Sequence, residues 1–262
     1  MDHHAMGADA DTPRRGPRSK GVLAVLAIIA ALVFSGFAAL GTWQVKRLFW
    51  KLDLIERVDQ RVNAPAAPAP GPMQWPQLQT STDEYRHVQA SGTFLHERET
   101  LVQAVTVLGS GFWVLTPLKL ADGTVLLVNR GFVPPEKQAR ASRQATEPRA
   151  NTTVTGLLRM SEPGGAFLRN NDPANQRWYS RDVQAIAAAH HLGPVAPYFV
   201  DAKANPSQEW PAGGLTVIAF KNHHLVYAIT WYALALMTLG AAWYVRRDEQ
   251  RLRQRQTDQN AG

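Results

Sequence analysis

The chain has 262 residues, with 28 Lys or Arg against 21 Asp or Glu, giving a formal net charge of +7. That balance raises nucleic acid as a partner, but the basic residues gather beside two apolar runs and no nucleic-acid motif accompanies them, so no nucleic-acid partner is expected. The absence of cysteine excludes disulfides, thiolate copper sites, zinc ribbons and covalent haem attachment through Cys-x-x-Cys-His.

Residues 1–20 form a basic tail ending in Arg14, Arg15, Arg18 and Lys20. From Val22 to Leu40 the sequence is apolar apart from Ser35 and carries no charge. At about 1.5 Å per residue this is long enough for the roughly 30 Å hydrocarbon core, and it predicts a transmembrane helix over 21–43. A cleavable signal peptide is the rival reading, but the apolar run exceeds the roughly 7–15 residues usual there, which favours a retained anchor. Ala27, Ala31, Ser35 and Ala39 fall four apart, a small-residue stripe on which a second span can pack.

Val45, Leu48, Leu52, Ile55, Val58 and Val62 then recur at spacings of three and four, predicting an amphipathic helix over 44–63. The Pro/Ala stretch within 64–76 cannot stay helical and predicts an extended, semi-rigid linker. Residues 77–221 read as one β-rich domain, with strands at Tyr85–Phe94, Thr100–Leu108, Phe112–Leu120, Val125–Val133 and Val154–Leu158, and a hairpin at Asp122-Gly123. Residues 135–145 are polar, a short helix or a loop. Asp182 to His191 predicts a helix capped by Ser180 and stopped at Gly193. Tyr198–Asp201 and Leu215–Phe220 return the chain to the sheet and then to the bilayer. The uncharged run Leu225–Val245 predicts a second span over 222–245, followed by a basic tail over 246–262 containing Arg246, Arg247, Arg251, Arg253 and Arg255.

The expected fold class is therefore membrane α + β: two transmembrane helices flanking an antiparallel β-rich extracytoplasmic domain with one or two short helices. Basic flanks on both spans place the two termini in the cytoplasm and the main domain in the periplasm. Asp2, Asp9 and Asp11 argue against an organellar transit peptide, so a bacterial inner membrane is expected.

His224, Tyr227 and Trp231 share one helical face at the start of the second span. An imidazole there can hold haem iron between aromatic walls; a helix-start or interfacial histidine is the plainer alternative. Trp43 and Gln44 lie at the outer edge of the first span, where Trp is an ordinary anchor and Gln can donate to a polar group. Arg130, before Gly131 and read as lying at its strand's end, offers a bidentate donor to a carboxylate such as a haem propionate. Trp178-Tyr179 suit either a docking surface or the core. His190-His191 suit a charge effect at a helix C-terminus better than a metal site. Met73 and Met160 are isolated and give no thioether cluster for copper.

Several blocks, in order, resemble the surfeit locus protein 1 (Shy-type) family of cytochrome c oxidase assembly factors. They are Leu40-Gly41-Thr42-Trp43-Gln44 with Arg47, Lys51 and Ile55; Tyr85, Val88, Gly92 and Phe94; Val114-Leu115-Thr116-Pro117-Leu118; and Val128-Asn129-Arg130-Gly131-Phe132-Val133-Pro134. Pro163-Gly164, Asn170, Asp172-Pro173, Trp178-Tyr179, Asp182, Asn222, His224, Tyr227-Ala228 and Thr230-Trp231 complete the set. The resemblance implies a role in building the haem-copper oxidase, by receiving haem a or by stabilising an early assembly intermediate. It also implies His224 as the axial iron ligand, because haem a binding in some bacterial members is associated with the matching histidine. The sequence departs from the pattern in Lys221 and in His223, which doubles the histidine and lies about 100° away around the helix. Implied partners are the oxidase catalytic subunit, the haem a synthesis machinery and membrane lipid. No hydrolase elbow, zinc-protease helix, Walker loop or dinucleotide fingerprint occurs, so a non-enzyme is expected. A protein-protein scaffold that never touches haem, and an envelope membrane enzyme, are the alternatives.

Overall fold

The structure is a computed structural model that describes residues 16–166, 169–204, 209–220 and 222–260. In chain order it contains α1 (Lys20–Asn63), β1 (Ala67–Pro68), α2 (Thr80–Asp83), β2 (His87–Phe94), β3 (Thr100–Thr106), β4 (Gly109–Leu120), β5 (Val125–Val133), β6 (Thr152–Met160), α3 (Val183–Ala189), β7 (Val195–Ala202) and α4 (His224–Asn260). These form two compact units divided within α1, one of residues up to 53 and from 222 onward, the other of residues 54–220.

In the first unit α1 and α4 are both long and apolar enough to cross a membrane. The predicted first span and amphipathic helix are one unbroken helix, and α4 runs on through the arginines of the predicted tail to Asn260. The face of α1 turned toward α4 carries Phe34, Phe37, Ala38, Gly41, Gln44, Val45 and Leu48, matched on α4 by His224, Ala228, Trp231, Ala235 and Thr238. The stripe of Ala27, Ala31, Ser35 and Ala39 is exposed instead, a correction to the sequence reading. Steps of four drift about 40° per step around a helix, whereas alternating threes and fours keep facing a neighbour.

The second unit is built on a sheet ordered β1-β2-β6-β7-β5-β4-β3, with a further β2–β4 pairing. That extra pairing closes β2, β6, β7, β5 and β4 into a five-stranded barrel, leaving β1 and β3 as flaps. All pairings are antiparallel except β1–β2 and β5–β7, so the expected β-rich domain is present with two parallel seams. Alternate residues fill the interior: Val88, Phe94, Leu118, Leu126, Val128, Val154, Leu158, Tyr198 and Val200. The opposite face of β5 and β7 presents Leu127 and Phe199 to a second core made with Trp178, Val183 and Ile186. Burial on both faces is why β5 reads as an almost continuous apolar run.

The linker is extended as expected, but it does not stand apart from the domain. Ala67-Pro68 pairs with β2, and the Pro70 carbonyl accepts from the Tyr198 hydroxyl at 2.8 Å and the Trp75 indole at 2.9 Å. Proline is tolerated because this strand is an edge. Asp182, not Ser180, caps α3, its carboxylate accepting from the Ala185 N–H at 3.1 Å. The Ser180 hydroxyl accepts instead from Gly165 N–H and Asn171 Nδ2. His191, not Gly193, takes the left-handed conformation after α3. Residues 215–220 have no regular structure, so they add no strand.

Candidate functional site

α4 begins at His224, where the Asn222 side-chain oxygen accepts the His224 N–H at 3.4 Å. Gln44 lies on the inward face of α1 and is only 9% exposed. Their side chains meet, His224 Nδ1 lying 2.7 Å from Gln44 Oε1. An amide oxygen only accepts, so the hydrogen-bond network assigns the proton to Nδ1 and leaves the lone pair on Nε2. Nε2 has no hydrogen-bond partner among the described residues. An imidazole oriented in this way through its other nitrogen is the usual arrangement of a metal-ligating histidine.

The neighbouring contacts brace the pair. Trp231 stacks on Phe37 with ring centroids 5.7 Å apart and an interplanar angle of 27°. The Thr42 and Tyr232 hydroxyls lie 3.0 Å apart, and Tyr232 packs over Gly41, where a Cβ would stand 2.9 Å from its ring. The structure thus brings His224, Gln44 and Trp231 onto the interhelical face. Tyr227, at 54% exposure, is turned away from that face and Ala228 holds the inward position. Trp43 is 56% exposed and does not join the His224–Gln44 contact. His223 is exposed, so of the two adjacent histidines His224 is the one that faces α1. Sequence reasoning misses Gly41 and Tyr232 as neighbours of the site, although Gly41 sits one turn before Gln44 on the same face.

Arg130 belongs to the barrel unit. It lies inside β5 and not at its end, and its guanidinium sits 5.5 Å from the Phe94 ring with Nη1 3.4 Å from His96 Nδ1. The guanidinium is therefore not free at a strand terminus, because β5 continues to Val133 in register with β4. Trp178 is core, while Tyr179 is half-buried beneath Arg169. His190 Nε2 lies 2.9 Å from the Thr100 hydroxyl, and its pKa is lowered by burial first and then by Arg98 and His191. A favourable helix-end charge does not describe this histidine, which is held toward its neutral form.

Two terminal helices able to span a bilayer, flanking one closed barrel in the chain and meeting through a half-buried imidazole–amide contact, define a class of membrane-anchored β-barrel proteins. A family model described as the SURF1 family matches residues 31–236. Surfeit locus protein 1 of Rattus norvegicus is 36% identical over 217 residues, covering 76% of this chain and 68% of the relative. The Homo sapiens protein of the same name is 34% identical over 233 residues, covering 82% and 74%. A SURF1-like protein of Monosiga brevicollis is 33% identical over 257 residues, covering 92% and 94%. The chain belongs to the SURF1 family, the cytochrome oxidase assembly factors that its sequence blocks resemble.

Proposed function

We propose that this protein receives haem a at the His224 end of the helix pair and passes it to the catalytic subunit of a haem-copper oxidase. The observation that carries the reading is the Gln44 Oε1–His224 Nδ1 contact, which presents Nε2 as an iron ligand in a fixed tautomer. Haem a is the cargo, so a single protein ligand suits a carrier. One imidazole holds iron less firmly than a site in which the metal is better coordinated, and transfer follows the difference in affinity. The Trp231–Phe37 stack supplies a flat apolar surface two helical turns along the pair from that imidazole, about 10 Å, and the exposed rings of Trp43 and Tyr227 suit the lipid-facing side. The protein works by binding and transfer, with no bond-making step of its own. Haem a synthesis is the natural supplier, and membrane lipid surrounds both helices. The basic flanks support a bacterial inner-membrane location with both termini cytoplasmic and the barrel in the periplasm.

The test is to purify the full-length protein from cells that make haem a and record its visible spectrum, then repeat with His224→Ala. A haem spectrum that disappears in the variant is expected. A haem-free wild-type protein would favour the second reading, a scaffold for oxidase subunits. That reading is supported by the β3–β4 hairpin tip, where Val105 and Val107 are 83% and 86% exposed.

A further inference from the structure

The barrel has an open end that the haem reading does not use. Side chains on the interior face of β5 run Leu126, Val128, Arg130, so Arg130 stands at the mouth of a largely apolar core. The corresponding interior-face ends of the other strands, Phe94, Thr152, Val154 and Ala202, line the same cavity of about 360 Å³. β7 stops at Ala202 and the parallel β5–β7 register ends at Asn129–Asp201; beyond it Ala212 takes over as the partner of Phe132, so Arg130 falls between the two pairings. Barrel mouths are common places for small-ligand sites.

The lining of this mouth carries two cationic side chains, Arg130 and Lys203. Among the described residues no carboxylate lies within 4.0 Å of the Arg130 guanidinium. The nearby acids are already paired: Glu147 accepts two bonds from Arg140, Glu97 pairs with Arg140, and Glu99 with Arg143. Among the described residues the one polar side-chain contact of Arg130 is long, 3.4 Å to His96 Nδ1, and it agrees with the tautomer that the Pro148 carbonyl sets. The Pro148 carbonyl, 3.0 Å from His96 Nε2, can only accept, so Nε2 carries the proton and Nδ1 faces Arg130 as an acceptor. Burial makes the charged form of Arg130 less favourable than in water, the main cause of its lowered pKa. Lys203 stands on the lining as a second cation. Thr116, the β4 partner of Val128, also has a buried hydroxyl with no hydrogen-bond partner.

We infer that the barrel mouth at Arg130 and Lys203 is a binding site for a single carboxylate group, carried either by a small organic acid or by an acidic side chain of a docked protein. The planar guanidinium fork matches a carboxylate with two parallel hydrogen bonds, Lys203 closes the charge from the rim, and Phe94 and Trp210 cover the carbon skeleton.

The test is thermal denaturation of the full-length protein in detergent, titrated at constant ionic strength with glutarate, with N-acetylglutamate amide and with inorganic phosphate. A saturable rise in Tm with glutarate assigns a free acid, and a rise with N-acetylglutamate amide assigns a protein side chain; either supports the site. Arg130→Gln and Lys203→Gln are each expected to weaken binding, the first by about tenfold or more. Should Arg130→Gln fail to fold, Arg130→Lys, which keeps the charge but loses the fork, is expected to weaken it also. Phosphate outcompeting both carboxylates, no saturable shift, or a shift unchanged in the Arg130 and Lys203 variants overturns the assignment.

Discussion

The two units bury polar groups to opposite ends. Around Asp201 in the barrel every lone pair is engaged: Oδ1 accepts from Asn129 Nδ2 at 2.8 Å and Arg181 Nη1 at 3.2 Å, and Oδ2 from Arg159 Nη1 at 2.8 Å and Thr216 Oγ1 at 2.9 Å. Glu84 and Glu162 take up the remaining arms of the two arginines. Between the helices, His224 and Gln44 make one bond and leave an imidazole nitrogen without a partner among the described residues. A saturated network holds a shape, because any ligand must break something to enter. A half-satisfied pair holds an opening.

The comparison is tested most severely at its saturated end. Asp201→Ala removes the shared acceptor of Asn129, Arg159, Arg181 and Thr216 and leaves the two arginines only Glu84 and Glu162, and the expected loss is about 3 kcal/mol in denaturant unfolding; a loss below about 1 kcal/mol would show that the network is not what fixes the barrel. Next comes Gly131→Ala. Gly131 has φ 132°, and a Cβ there would lie 2.2 Å from the Ala212 carbonyl oxygen, so a loss of about 2 kcal/mol or more is expected in the same measurement. A Tm equal to wild type would mean that the 209–213 segment moves aside freely.

At the open end, Gln44→Leu keeps the bulk but removes the acceptor that sets the tautomer. It is expected to lower haem affinity about 10–100-fold in spectroscopic titration while leaving Tm nearly unchanged. Equal affinity would dismiss Gln44 as a positioning residue and leave His224 to be oriented some other way. The smallest effect belongs to His190, whose folded pKa lies below its ordinary value of 6.5. The unfolded chain then binds a proton that the folded one does not. Stability from this residue is complete above about pH 6.5 and declines as pH falls toward the depressed folded value. His190→Gln, still able to bond Thr100, is expected to flatten the Tm profile between about pH 7 and 5; an unchanged slope would assign it to other groups.

Local signals carry well into the structure, and relations between distant segments do not. β5 occupies the expected Val125–Val133 because an apolar run buried on both faces follows an Asp-Gly turn, a pattern contained within one short stretch of chain. Barrel closure rests on β2 meeting β4 as well as β6, a choice made by tertiary packing that no strand announces by itself. The candidate site divides in the same way. His224 and Gln44 are each legible as polar residues at the edge of an apolar run, but their bond spans 180 positions and needs both helix faces to be known. The alanine stripe misleads because spacing by four identifies a ridge without saying that the ridge is used. Arg130 is legible as a carboxylate donor, yet its place at the barrel mouth follows from register, not from Gly131 beside it.

Pro117 sits in the middle of β4, where proline ordinarily does not belong. Its carbonyl points to the outer edge and accepts the Leu95 N–H at 2.8 Å, so its absent N–H faces that same edge, between the last β3 partner at Leu115 and the first β2 partner at Leu118. One gap in the ladder therefore marks the boundary between two claimants. An amide hydrogen at this point would let the β3 hairpin zip onward into territory belonging to β2. Without it, this edge of β4 offers no donor with which the β3 pairing could extend past Leu115 toward the stretch that β2 occupies.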